Sequence, residues 1–343
     1  MAAGAVAAAR GSLLGQVLGD AIGATAGLVP QAGALNATSG GQLACFTVDG
    51  LIRADVRGAL REPGHVPSFV RHAYGRWAAL QGIIPSDGKT KKWPDGWLAD
   101  VPMLRESRGT APATLAALRE RAAGGGVDGP APRSSLGPRA VTRTLPVGLY
   151  ARGDEAAQLA AEIAALTHRD EAIIAAAVGA VALQLLSEGA AAGPAVQQAT
   201  EIATRLGRGP VPPAVGDALV AGEVAPREAA QLVRFAGDGS AAAVLAGGVY
   251  AVASFPERDT IRDALLFASA AGEGGHVTTV AGAMLGAAHG PDALPVDWVS
   301  RLELAWVADT LARDLVRQLT ESPAGSEYAE ASDPNWWDRY PGW

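Results

Sequence analysis

Gly11, Gly15, Gly19, Gly23 and Gly27 recur at every fourth residue of an apolar N-terminal segment. Leu13, Leu14, Val17, Leu18 and Ile22 fall between them at helical spacing,. The pattern predicts a helix over 2–28 with a stripe free of side chains down one face. An interior glycine costs a helix about 1 kcal/mol relative to alanine. A whole stripe of them therefore predicts a second helix that approaches closely. Asp20 sits beside the stripe, as a solvated or capping carboxylate or as a ligand contact.

The remainder reads as further helices. Of 343 residues, 49% are hydrophobic, mostly Ala, Val and Leu, and only 5% are aromatic, a balance that favours helices over strands. Expected helices run over about 51–61, with Thr47 or Asp49 at its start, and 67–80, 110–122, 154–187 (broken near His168), 193–206, 213–221, 226–235, 239–254, 257–270, 276–288 and 296–319,. No strand is expected. The helical body is assigned to 1–320. The 321–343 tail carries Glu321, Glu327, Glu330, Asp333 and Asp338 with Trp336, Trp337 and Trp343. It is read as an appendage packed over the body or as a partner contact.

Several function classes are disfavoured. The net charge is −7, from 28 basic and 35 acidic residues, which does not suit a nucleic-acid surface. One cysteine, Cys45, excludes an internal disulfide or a Cys-based zinc site,. No basic n-region precedes the first apolar run, and the apolar 173–186 segment is too short to span a bilayer,. A soluble, cytoplasmic protein without membrane contact is expected. The Ala-, Gly- and Arg-rich composition points to a high-GC bacterial gene. Oligomeric state is not legible.

Three stretches carry chemistry. The first is Gly272-Glu273-Gly274-Gly275-His276-Val277-Thr278-Thr279, a glycine turn that sets polar groups at a helix N-terminus,. From these eight residues alone, a plain loop with Thr278 or Thr279 capping a core helix is the favoured reading. The second runs from Arg133 through Ser135, Gly137, Arg139 and Arg143 to Pro146 and Gly148. Arginine forks suit phosphate or carboxylate, and solvated arginines are the plainer reading. The third is Leu166-Thr167-His168, where His168 is buried, capping or exposed. The polar and aromatic 87–97 segment is a surface loop or a lid.

The order of these pieces resembles the ADP-ribosylglycohydrolase family, from about Gly11 to Leu319. Gly19-Asp20-Ala21-Ile22-Gly23 is similar to the family's opening Gly-Asp-Ala signature. Gly137 through Arg143 to Leu149 is similar to its ligand loop, and Leu166-Thr167-His168 to its Leu-Thr-His. Gly274-Gly275 with Ala281 through Gly290 is similar to its last motif. The resemblance implies an all-α domain of orthogonally packed helices and a ribosyl ligand.

The departures bear on mechanism. The resemblance implies two magnesium ions held by Thr-Asp-Asp-Thr and Gly-Asp-Thr-Asp-Thr motifs. Here the first is read as Thr47-Val48-Asp49-Gly50 and the second as Gly275-His276-Val277-Thr278-Thr279. Asp49 alone remains of four aspartates, too little charge for a two-magnesium cluster. No metal or other cofactor is expected. One reading is a metal-independent hydrolase cleaving an N-ribosyl bond of a small ADP-ribose-, nucleotide- or NAD-derived substrate. Such cleavage passes through an oxocarbenium-like transition state, with Asp49, His276 (near neutral pKa) and Glu273 as catalytic candidates. Thr47, Asp20, Ser135, Gly137, Arg139, Arg143, His168, Gly275, Thr278 and Thr279 are then the substrate-binding candidates. Arg139 stands where the family has a small residue and suggests a terminal phosphate. The alternative is an inactive pseudoenzyme that binds ADP-ribose or a ribose phosphate.

Overall fold

The computed structural model describes residues 2–61, 64–83, 93–122, 135–271, 274–326 and 329–342. Glu273, Arg133 and the 87–92 part of the expected lid lie outside the described residues. The described chain is all-α. Its helices, in order, are α1 (Ala2–Ala24), α2 (Ser39–Leu60), α3 (Val66–Leu80), α4 (Pro112–Ala122), α5 (Arg139–Thr142), α6 (Val147–Tyr150), α7 (Gly153–Ala165), α8 (Glu171–Ser187) and α9 (Ala192–Arg205). They continue with α10 (Pro213–Val224), α11 (Ala229–Ala236), α12 (Ala241–Ser254), α13 (Ile261–Ser269), α14 (Gly274–His289), α15 (Val296–Val299), α16 (Ala305–Glu321) and α17 (Trp336–Arg339). Among the described residues extended pairing is limited to isolated bridges. No described helix is long and apolar enough to cross a membrane.

The glycine stripe finds its partner in α14. An ideal Cβ at Gly15 would lie 2.1 Å from the Gly282 carbonyl oxygen, and one at Gly11 would lie 2.0 Å from that of Gly286. The relation is reciprocal, since Gly282 and Gly286 meet the carbonyls of Gly15 and Gly11 just as closely. At Gly19 the obstructing atom is the Thr278 carbonyl oxygen, 2.1 Å away. The first and last stretches of the body are thereby fused backbone to backbone.

Two expected elements differ. The helix expected from Leu51 begins at Ser39, because Thr38 caps it by accepting from Gly40 N and because Leu43, Cys45 and Phe46 bury an apolar face there. Tertiary burial outweighs the loop-like Ser-Gly-Gly composition. Thr47 and Asp49 consequently sit inside a helix and cap nothing. The single helix expected over 296–319 is divided into α15 and α16. Leu35 inserts at the break, donating to Arg301 O at 2.8 Å and accepting from Glu303 N at 3.1 Å.

The C-terminal tail lies on α2 and α16. Trp336 and Tyr340 are fully buried. Trp336 Nε1 donates to Gln318 Oε1 at 2.7 Å, and Tyr340 OH donates to Asp314 at 2.5 Å. The described end of the 87–97 segment joins this face: Asp95 pairs with Arg53 and Arg76, and Trp97 packs against Trp306 with the rings tilted by 52°.

Candidate functional site

A cleft of about 380 Å³ opens where the start of α14, the segment before α5 and the α7–α8 turn converge. Ser135, Gly137, Arg139, His168 and His276 line it, together with Thr110, Pro112 and Gly239. Candidates far apart in the chain are thus brought to one place. The wall is built by a parallel bridge between Ser135 and His168, closed by Arg169 N donating to Ser135 O at 3.2 Å. Asp170, at φ 49°, then turns the chain into α8.

Electrostatically the cleft is governed by Arg139. Its Nη2 donates to Thr110 O at 2.7 Å, while its Nη1 is buried without a hydrogen-bond partner. His276, in the first turn of α14, has a buried Nδ1 that also lacks a partner. Burial, and then the Arg139 charge, push its pKa down to about 4. The expectation of a near-neutral pKa is therefore corrected: burial disfavours the imidazolium, and the ring is neutral across the physiological range. His168 behaves alike. Burial first, then Arg143 and Arg139, push it down to about 3, against a weak opposing effect of the Ala164 carbonyl.

Asp20 lies behind Arg139 and is buried. One carboxylate oxygen accepts from Thr38 N at 2.5 Å and the other from Thr38 Oγ1 at 2.7 Å. The carboxylate thus holds the N-terminus of α2, where helix N–H groups favour an anion. Burial raises its pKa, against the Thr38 hydrogen bonds and the Arg139 charge. Gly40 is required here, since a Cβ would fall 2.6 Å from Asp20 Oδ1 and 3.2 Å from Arg139 Nη1.

Other candidates are placed elsewhere. Asp49 is fully buried in mid-α2 and pairs with Arg53 at 2.8 Å, in a network that continues to Asp95 and Arg76. It is not among the described residues that line the cleft where the other candidates gather. Thr47 Oγ1 bonds Leu43 O at 3.0 Å and Tyr74 OH at 2.8 Å, buried and not lining the cleft. Arg143 is buried too, donating to Thr114 Oγ1 at 2.8 Å, Ile163 O at 3.2 Å and Thr167 Oγ1 at 2.5 Å. Its guanidinium lies over the Tyr74 ring. Thr278 and Thr279 donate back to Gly275 O, as hydroxyls inside a helix do; they are not caps. Sequence reasoning missed the Thr38–Gly41 corner, although a capping threonine ahead of the apolar run from Leu43 was a legible helix start.

A family model for ADP-ribosylglycohydrolase matches residues 2–325. The chain belongs to the ADP-ribosylglycohydrolase family. Glycohydrolase chemistry on ADP-ribose-like substrates is the activity this membership suggests. A solved structure described as an ADP-ribosylglycohydrolase-related protein complex is similar in fold, with a TM-score of 0.60 at 22% identity over 91% of this chain and 98% of that one. No curated protein matches the chain in sequence. As an ADP-ribosylglycohydrolase fold, the molecule retains the glycine-paired first and last motifs and a cleft beside them. Among the described residues, the polar side chains lining that cleft are the Arg139 guanidinium, the His168 and His276 imidazoles and the hydroxyls of Ser135 and Thr110.

Proposed function

We propose that the cleft binds a small phosphorylated ribosyl compound of the ADP-ribose or ribose phosphate type and that the dinuclear magnesium centre of the family is lost. The observation that carries this reading is Arg139: a half-buried guanidinium lining the cleft with neutral His276 and His168 presents a cation to an anionic oxygen, and among the described residues the cleft lining offers no carboxylate to a metal,.

The donor set does not fit two magnesium ions. Magnesium is held by carboxylates and other hard oxygens. The corner nearest Asp20 reads Thr38-Ser39-Gly40-Gly41, a threonine-led string without a carboxylate, and we take it, rather than Thr47–Gly50, as the counterpart of the first motif. Asp20 itself is already held by Thr38 and faces a fixed cation. Among the described residues no three His, Cys, Asp or Glu side chains converge on one point.

A second reading, cleavage of an N-ribosyl bond without metal, is favoured by His276. Its ring lines the cleft, and its depressed pKa keeps it unprotonated as a base for water,. A cationic pyridinium leaving group departs neutral and needs no acid. Against it stand the removal of Asp49 from the cleft and the weak basicity that the same depressed pKa implies.

Purified protein treated with EDTA is titrated with ADP-ribose and ribose 5-phosphate by calorimetry. It is then incubated with ADP-ribosyl-arginine, NAD and nicotinamide mononucleotide, with and without magnesium, while base release is followed. Binding without turnover is the expected result. Turnover that survives EDTA and is lost in His276→Ala moves the assignment to the second reading. Turnover that requires magnesium overturns the first.

A further inference from the structure

Arg143 is a fully buried cation with no carboxylate among its hydrogen-bond partners. A cation buried in this way is costly, and the structure directs it into a chain that ends in the cleft. Arg143 Nη2 donates to Thr167 Oγ1 at 2.5 Å. Thr167 Oγ1 lies 2.7 Å from His168 Nδ1. The opposite ring nitrogen, His168 Nε2, lies on the side of Gly137, where an ideal Cβ would be 3.8 Å away. Both residues line the cleft.

The donor count fixes the direction of this chain. A guanidinium only donates, so Thr167 Oγ1 accepts from Arg143. The hydroxyl then has one hydrogen left, and among the described residues its one remaining hydrogen-bond partner is His168 Nδ1, which accepts it. A neutral imidazole that accepts at Nδ1 carries its proton at Nε2. The reverse arrangement, Nδ1–H donating to Thr167 or to the Ala164 carbonyl, leaves the buried hydroxyl hydrogen without an acceptor among the described residues, which is unfavourable.

We propose that Arg143 and Thr167 are positioning residues that lock His168 as the Nε2–H tautomer, so that His168 and Arg139 together present donors to the anionic oxygens of a phosphate ester in the cleft. The ligand part rests on the function proposed above; the lock does not. The family-like arginine at 143 thus acts from behind the wall, one hydroxyl and one imidazole removed from the ligand, and Arg139 takes the exposed role.

The test has two arms. In ligand-free protein, long-range ¹H–¹⁵N spectra of the imidazoles, with His168 assigned by its loss in His168→Gln, distinguish Nε2–H from Nδ1–H by which nitrogen resonates upfield. The wild type and Thr167→Ser are expected to be Nε2–H, and the near-isosteric Thr167→Val to become a tautomer mixture. In the second arm ribose 5-phosphate is titrated into each. A lost charge-assisted hydrogen bond should weaken Thr167→Val by about tenfold while Thr167→Ser stays near wild type. An Nδ1–H wild type, or a Thr167→Val variant that keeps both tautomer and affinity, overturns the lock. Failure of the folded wild type to bind ribose 5-phosphate and ADP-ribose at all overturns the cleft's function and with it the ligand part, while the spectra still decide the lock.

Discussion

Gly15 of α1 and Gly282 of α14 touch backbone to backbone, each occupying the place where the other's Cβ would stand, 2.1 Å from its carbonyl oxygen. Neither atom can yield without moving a helix. Gly15→Ala or Gly282→Ala should therefore cost about 3 kcal/mol or more, the upper end for overpacking a close-packed interface. Gly4, with nothing within 4 Å of its Cβ position, should accept alanine with little change or a small gain. Denaturant unfolding of the three variants checks the contrast.

Asp49 should matter to stability and not to the cleft. Asp49→Asn leaves Arg53 partly uncompensated at a fully buried site, and breaking such a pair costs about 3–5 kcal/mol. The melting temperature should fall steeply, while the affinity of the folded fraction for ribose 5-phosphate stays at the wild-type value. A selective loss of affinity at unchanged stability would return Asp49 to the ligand site.

Arg139→Ala should remove most of the affinity for ribose 5-phosphate, since a charge-assisted contact is worth about 1.5–3 kcal/mol, or roughly tenfold to a hundredfold. EDTA should leave both that affinity and the melting temperature unchanged. Magnesium should not stabilise the protein, because a ligand raises stability only by binding the native state. A melting temperature that climbs with magnesium concentration argues against this assignment.

The two cleft histidines make stability depend on pH. Each is neutral when folded, with pKa pushed down to about 4 at His276 and about 3 at His168 from the ordinary 6.5. Below pH 6.5 the unfolded chain therefore holds more protons, and stability falls as pH falls toward those values, with a limiting slope of about 1.4 kcal/mol per pH unit for each histidine. Asp20, with a raised pKa, acts in the opposite sense near and above pH 3.8. Between pH 6.5 and about 4.5 the His276→Gln variant should show a shallower decline than the wild type in unfolding midpoints.

The tail should be integral to stability. Trp336 is buried with its Nε1 on Gln318, and Trp336→Ala should cost about 3–5 kcal/mol. Trp337, only partly buried, should cost far less. Thermal unfolding of the pair separates a packed strap from a loose appendage.

The sequence by itself determined the helical class, the family and the close-approach stripe, because glycine spacing, alanine content and apolar periodicity are local signals that survive in one dimension. It also named Ser135, Gly137, Arg139, His168 and His276, which the fold gathers into one cleft. It could not say where Asp49 points. A carboxylate near a Thr-x-x-Gly string reads as a ligand until α2 is seen to begin at Ser39, which turns Asp49 onto Arg53. Nor could it separate Arg139 from Arg143, two arginines on one short segment. Packing of α5 against α7 and α4 buries Arg143 among Thr114, Thr167 and Ile163 and leaves Arg139 at the cleft. The same burial sets the charge state of both histidines. Desolvation depends on every neighbour that excludes water, and those neighbours are assembled only by the tertiary fold.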